Sequence, residues 1–194
     1  MKYLLLLGLI WLLNGCAGAM MAGTVSGAVM LNDERPIGTQ LDDTNTEFRI
    51  SSVFSTDEEL KSQCNISGIS MNGNVLLIGQ APNSRLRDKA VQLVQNLKLG
   101  GKIHNQIRIG NPVSFTTRSN DTWITTKVKG RMLNDKNLDM TRIKVVTENG
   151  EVFLLGVISR EQADLATDIA RNTSGVRKVI RMFDYVEPKV ESKP

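Results

Sequence analysis

Histidine is nearly missing from this chain, His104 being the only one, and cysteine occurs twice, at Cys16 and Cys64. Metal sites draw several ligands from these residue types and carboxylates, and general acid–base chemistry most often recruits histidine. His104 stands alone in a predicted strand and is read as a strand residue with a polar edge. No Gly-x-Ser-x-Gly elbow, His-x-x-x-His pair or phosphate-cradling glycine loop occurs. Asp57, Glu58 and Glu59 are consecutive, so on a helix their carboxylates diverge, and a solvated surface is expected there. The chain is read as not an enzyme, with no cofactor and no metal.

Long apolar runs are scarce as well. The N-terminal one, Tyr3 to Leu13, has eleven residues, whereas crossing about 30 Å of hydrocarbon takes roughly twenty. With Lys2 before it and Asn14, Gly15 and Cys16 after it, residues 1–15 read as a signal peptide. The ending Leu13-Asn14-Gly15-Cys16 resembles the bacterial lipoprotein lipobox, which implies cleavage before Cys16 and lipidation of that cysteine. Ala17 in the next position, rather than Asp, implies attachment to the periplasmic face of an outer membrane. Two or more acyl chains hold a protein there stably; one does not. Acylated Cys16 leaves Cys64 with no intramolecular partner, which excludes a disulfide-stapled fold. With no histidine near it in sequence, Cys64 is expected to be a small buried apolar residue.

Residues 16–41 follow as a small-residue, Gly-rich stretch without helical or strand periodicity, read as a lipid-anchored flexible tether with a reach of about 25 to 30 Å. From Cys16 to Gly110 there are nine basic and nine acidic residues; from Asn111 to Pro194 there are fourteen and eleven. The positive excess thus lies in the second half, and includes Arg177, Lys178 and Arg181. Export removes nucleic acid as a partner for such a group, whereas anionic headgroups attract surface Lys and Arg by about 1 kcal/mol each.

The organisation is fixed by an internal repeat. MNGNVLLIGQ, from Met71, and ENGEVFLLGV, from Glu148, both carry Asn-Gly, a polar residue, four apolar residues and Gly. Asn72 aligns with Asn149 and Gly79 with Gly156 at an offset of 77. Asp43, Ile50 and Phe54 align with Asp121, Val128 and Met132 at 78, and Ile103 and Ile107 with Val179 and Phe183 at 76. Two copies of one module of about 70 residues account for all three sets.

Each copy predicts a short helix capped by Asp43 or Asp121, a strand (Asn65 to Met71; Arg142 to Thr147), an Asn-Gly turn and a second strand. A longer helix comes next. In the first copy Leu86, Ala90, Leu93, Val94 and Leu97 form its apolar stripe; in the second, Ser159 and Gln162 suit a capping box before Ala163, Ala166, Ile169 and Ala170. A last strand, Ile103 to Ile109 or Val176 to Tyr185, returns parallel. The predicted class is α+β: two tandem α-β-β-α-β modules, each a three-stranded mixed sheet with two helices on one face. The spans are 42–110 and 119–187, with a tail at 188–194.

This module, with a glycine closing the second strand (Gly79; Gly156), an alanine-containing second helix and Ser174-Gly175-Val176-Arg177-Lys178-Val179 leading to the last strand, resembles the BON domain. Two copies behind a lipobox, with NDTWITTKV and VVTENGEVFLLG in the second, resemble the dual-BON outer-membrane lipoproteins. The match is closer in the second module than in the first.

The first helix of the second module holds Trp123. Ile124, Val128 and Met132 recur every four residues and face inward, so Trp123, Lys127 and Arg131 form an adjacent row at the rim. Either the indole folds back over a core or onto the first module, or it meets an interface, where its flat apolar ring and single N–H settle at headgroup depth. The resemblance implies a module that binds anionic, phosphatidylglycerol-like phospholipid through this helix and supports outer-membrane integrity and envelope stress resistance near the division site. Carried over by residue, it implies Trp123, Thr126, Lys127 and Gly130, to which the helix geometry adds Arg131 and Leu133. The alternatives are a periplasmic adaptor for an envelope assembly or cell-wall-remodelling protein, and a chaperone like soluble dual-BON osmotic-stress proteins.

Overall fold

The structure, a computed structural model, describes residues 37–186. The signal peptide, Cys16, most of the expected tether and the tail lie outside the described residues.

Module one runs α1 (Ile37–Thr56), a short α2 (Glu58–Gln63), β1 (Asn65–Met71), β2 (Asn74–Ala81), α3 (Ser84–Asn96) and β3 (Ile103–Ile109). Module two runs α4 (Phe115–Leu133), a 3-10 turn (Met140–Arg142), β4 (Ile143–Glu148), β5 (Glu151–Ile158), α5 (Arg160–Arg171) and β6 (Lys178–Tyr185). In each sheet the central strand pairs antiparallel with the strand before it and parallel with the strand after it. The hairpins turn on Asn72-Gly73 and Asn149-Gly150, all four at positive φ (52°, 79°, 50° and 72°), which is the twist a two-residue hairpin needs. The two modules, their mixed sheets and the helices on one face are thus as the repeat predicts.

The glycine after each apolar run has a steric reason. A Cβ on Gly79 would lie 2.0 Å from the Asn65 carbonyl oxygen, and one on Gly156 2.2 Å from that of Arg142. At these points the neighbouring strand crosses too closely for any side chain.

One finding differs from the expectation and a second goes beyond it. First, Asp43 and Asp121 cap no helix. Helix α4 begins at Phe115, capped by Ser114, whose hydroxyl accepts from the Thr117 amide at 3.1 Å, and nothing from Phe115 to Asn120 interrupts it. Phe115 to Arg118, which fall between the expected spans 42–110 and 119–187, are therefore helical, and α1 likewise starts at Ile37, ahead of Asp43 and within the expected tether. The two aspartates are 5% exposed and bind the hairpin turns instead. Asp121 accepts from Asn149 N and Gly150 N, both at 2.7 Å. Asp43 accepts from Asn72 N at 2.8 Å, Gly73 N at 3.0 Å and Ser70 Oγ at 2.6 Å. Each carboxylate satisfies amides that the tight turn leaves unpaired, and so ties the first helix to the hairpin.

Second, the sheets are covered on both faces. Side chains alternate along a strand. In β2, Val75 and Leu77 join the module's own helices while Leu76 and Ile78 point the other way. In β5, Val152 and Leu154 face α4 and α5, while Phe153 and Leu155 meet Met71, Leu76 and Ile78 of module one. The architecture is four-layered, with two sheets back to back and helices outside. A polar belt surrounds the seam: Lys144 pairs with Glu47 at 2.5 Å, Arg108 with Glu151 at 2.5 Å, and Gln80 donates to Glu148 at 2.5 Å.

Candidate functional site

Helix α4 presents three sides. Asp121, Ile124, Val128 and Met132 are buried against the sheet and α5. At about 100° per residue, Trp123, Thr126, Gly130 and Leu133 lie roughly 135° to 165° from the mean direction of that buried row. They point outward, further from the core than a rim position. Trp123 is 60% exposed and Leu133 69%. The indole does not fold back onto a core. Thr126 donates to the Thr122 carbonyl within the helix, and a Cβ on Gly130 would meet nothing within 4 Å, so the helix surface beside the indole is open.

Phe115 joins this strip and the sequence reading missed it. It is 78% exposed and stands five turns, about 27 Å, before Leu133 on the same side. The signal that would have found it was Ser114, a capping residue placed directly ahead of it.

The expected cations behave differently from the expectation. Lys127 lies 6.0 Å from the Trp123 ring centroid, but its ammonium donates to the Ser174 carbonyl. Arg131 donates to the Asn172 carbonyl at 2.5 Å and to Thr173 Oγ1 at 3.2 Å. Arg131 thereby caps the C-terminal end of α5, where helical carbonyls lack internal partners and the helix dipole is negative, while Lys127 holds the turn that follows it. On the opposite flank of α4, Arg118 and Lys129 are exposed.

The other sequence candidates resolve into structure. Of the basic group near β6, Arg177 donates to the Asn149 carbonyl and Arg181 pairs with Asp164 at 2.8 Å. Arg181 also donates to the Tyr185 hydroxyl at 3.1 Å, while Arg160 stacks 4.6 Å from that ring. Asp57 caps α2, and Glu59 is held to a pKa of about 2 by Arg85 first and Lys89 second. Cys64 is half-buried beside the module-one core, where burial first, and then Asp57 and Glu59, raise its thiol pKa. It borders a groove of about 420 Å³ with Phe54, Leu60 and Ile66. Among the described residues no three His, Cys, Asp or Glu side chains are grouped to hold a metal, and no helix is long and apolar enough to cross a membrane.

The comparisons with known proteins meet this geometry at the module boundaries. The family model of the BON domain matches residues 42–111 and again 120–187. The chain belongs to the BON family. A relative from Haemophilus influenzae, named outer membrane lipoprotein DolP, is 40% identical over 186 residues, 96% of each chain. A 21 kDa hemolysin of Actinobacillus pleuropneumoniae is 43% identical over 155 residues, 80% of each. The osmotically-inducible protein Y of Escherichia coli is 26% identical over 148 residues, 74% of this chain and 72% of that one. Each BON match starts within the first helix of a module, so α1 and α4 are longer than the matched spans by their first turn or more.

Proposed function

We propose that this BON protein is a non-catalytic outer-membrane lipoprotein, anchored through Cys16, whose second module docks on anionic phospholipid through the outward side of α4. One observation carries this reading: an exposed tryptophan, with Phe115 and Leu133 on either side of it along one helix, flanked by cations on both edges. Indole at headgroup depth and lysine or arginine against phosphate are the pairing that membrane interfaces select. Trp123, Thr126, Gly130 and Leu133 form the contact; Lys127 and Arg131, whose bonds to the Ser174 and Asn172 carbonyls hold α4 in place, border it. Relatedness to the protein named outer membrane lipoprotein DolP supports the location. Anchoring raises the local concentration of membrane, so even weak intrinsic affinity suffices. The role is support of outer-membrane integrity and envelope stress resistance near the division site.

Vesicle flotation of the mature chain made without acylation tests this. Binding to phosphatidylglycerol vesicles with a blue shift of Trp123 emission, and loss of that binding with Trp123→Ala, are expected. Binding that Trp123→Ala leaves untouched removes the assigned face.

A protein-binding reading is favoured by a different observation: Leu41 and Phe48 are 53% and 72% exposed, seven residues apart on α1. An adaptor or chaperone for an envelope protein would use that side. Salt-insensitive capture of one protein, abolished by Phe48→Ser and accompanied by no vesicle binding, would establish it instead.

A further inference from the structure

The two modules are copies, so a feature present in both serves the fold, and a feature of one alone is free to serve function. At the offset of 78 that relates the first helices, Lys127 corresponds to Arg49. Arg49 Nη2 donates to the Leu97 carbonyl at 2.9 Å, just past the end of α3, which repeats what Lys127 and Arg131 do at the end of α5. In each module a cation of the first helix thus reaches the end of the second, Arg49 and Arg131 on the C-cap carbonyls of Leu97 and Asn172, with Lys127 on Ser174 in the turn just beyond. This occurs in module one beside Asn45, where module two has Trp123. The cap is therefore independent of any interfacial tryptophan.

The other flank of α4 has no such duplicate. Lys129 and Arg118 correspond to Ser51 and Gln40, both uncharged. Lys129 and Arg118 lie eleven residues apart, three turns and about 16 Å along one line of the helix. They flank the strip of Phe115, Trp123 and Leu133 on the side opposite Lys127. Among the described residues Lys129 has no hydrogen-bond or ion-pair partner, and Arg118 only a longer-range attraction to the half-buried Glu148. This flank lies over β4, an edge strand of its sheet.

Resting on the membrane reading above, we infer that Lys129 and Arg118, and not Lys127 and Arg131, are the cations that meet lipid phosphates. Lys127 and Arg131 are positioning residues: they hold α4 against α5 and so fix the angle at which Trp123 is presented. A cation committed to a helix end would have to abandon those carbonyls to reach a headgroup; Lys129 abandons nothing.

The test is flotation of the unacylated mature chain on phosphatidylglycerol vesicles across a salt series, with thermal melts of each variant. The wild-type chain first tests the membrane reading: no binding at any salt ends that reading and the inference with it. Given wild-type binding, Lys129→Gln and Arg118→Gln are each expected to weaken it about fivefold at low salt and to flatten its salt dependence, with unchanged melting. Lys127→Gln and Arg131→Gln are expected to melt lower while keeping affinity within about twofold. Wild-type affinity in Lys129→Gln, or a loss in folded Lys127→Gln as large as in Lys129→Gln, overturns the assignment.

Discussion

Replacing Asp121 by alanine should be the most damaging polar substitution in module two. The carboxylate is 5% exposed and receives the Asn149 and Gly150 amides, each at 2.7 Å. A hydrogen bond to a charged group contributes about 1.5 to 3 kcal/mol, and a buried donor left unpaired costs about 1 to 3 kcal/mol. Alanine removes the acceptor for both donors at once, so a loss of about 3 to 5 kcal/mol is expected, a large share of the roughly 5 to 15 kcal/mol a domain has. At roughly 2 to 4 °C per kcal/mol for a chain of this size, melting should fall by roughly 6 to 20 °C. Far-UV circular dichroism in urea is the suitable probe, because Trp123 is already largely in water and its emission changes little on unfolding. Asp121→Asn, which keeps one acceptor and sets an amide against the second donor, should lose about half as much. A loss below about 1 kcal/mol for the alanine variant would refute the reasoning, since the turn amides would then be satisfied without the helix.

Gly79→Ala should prevent folding of module one, because the new Cβ would stand 2.0 Å from a backbone oxygen at a φ of +113°; loss of the cooperative melt checks this. Phe153→Ala, emptying the seam between the sheets, should cost about 3 to 5 kcal/mol and separate the unfolding of the two modules into distinct transitions in calorimetry. Glu148 is half-buried, and burial raises its pKa despite the hydrogen bond from Gln80. The folded state therefore holds that proton more tightly than the unfolded state, and stability falls as pH rises from the ordinary carboxylate range through the raised value. Glu148→Gln should be more stable than the wild type at neutral pH and lose that part of the slope, as melts from about pH 4 to about 8 would record.

What sequence made legible, and what it hid, divides along the range of the interactions. Asn-Gly turns, the apolar stripe of α3 and the serine cap of α5 are signals written within a few residues, and each appears where expected. Asp121 has two competing uses, as a cap for the residues that follow it and as an acceptor for amides 28 and 29 positions later. Only the second is real, and no local pattern announces it. The four consecutive apolar residues of β2 and β5 already carried evidence of burial on both faces, since a strand with one wet face alternates. The first cover was evident from the amphipathic helices, but the second cover is the other copy of the module. At the candidate site Trp123 stands further out than the expected rim, and the partners of Lys127 and Arg131 were hidden because Ser174 and Asn172 lie more than forty positions along the chain, at and beyond the end of α5.

The back-to-back seam has a practical consequence for dissection of the protein. Cutting between Gly110 and Ser114 would release a second module whose sheet bears Phe153 and Leu155 uncovered, with Val146, Ile180 and Met182 at their margin. Such a fragment would adhere to detergent, to itself and to lipid of any charge. A truncation that binds vesicles would then report the exposed seam, and only the intact pair can attribute binding to a helix.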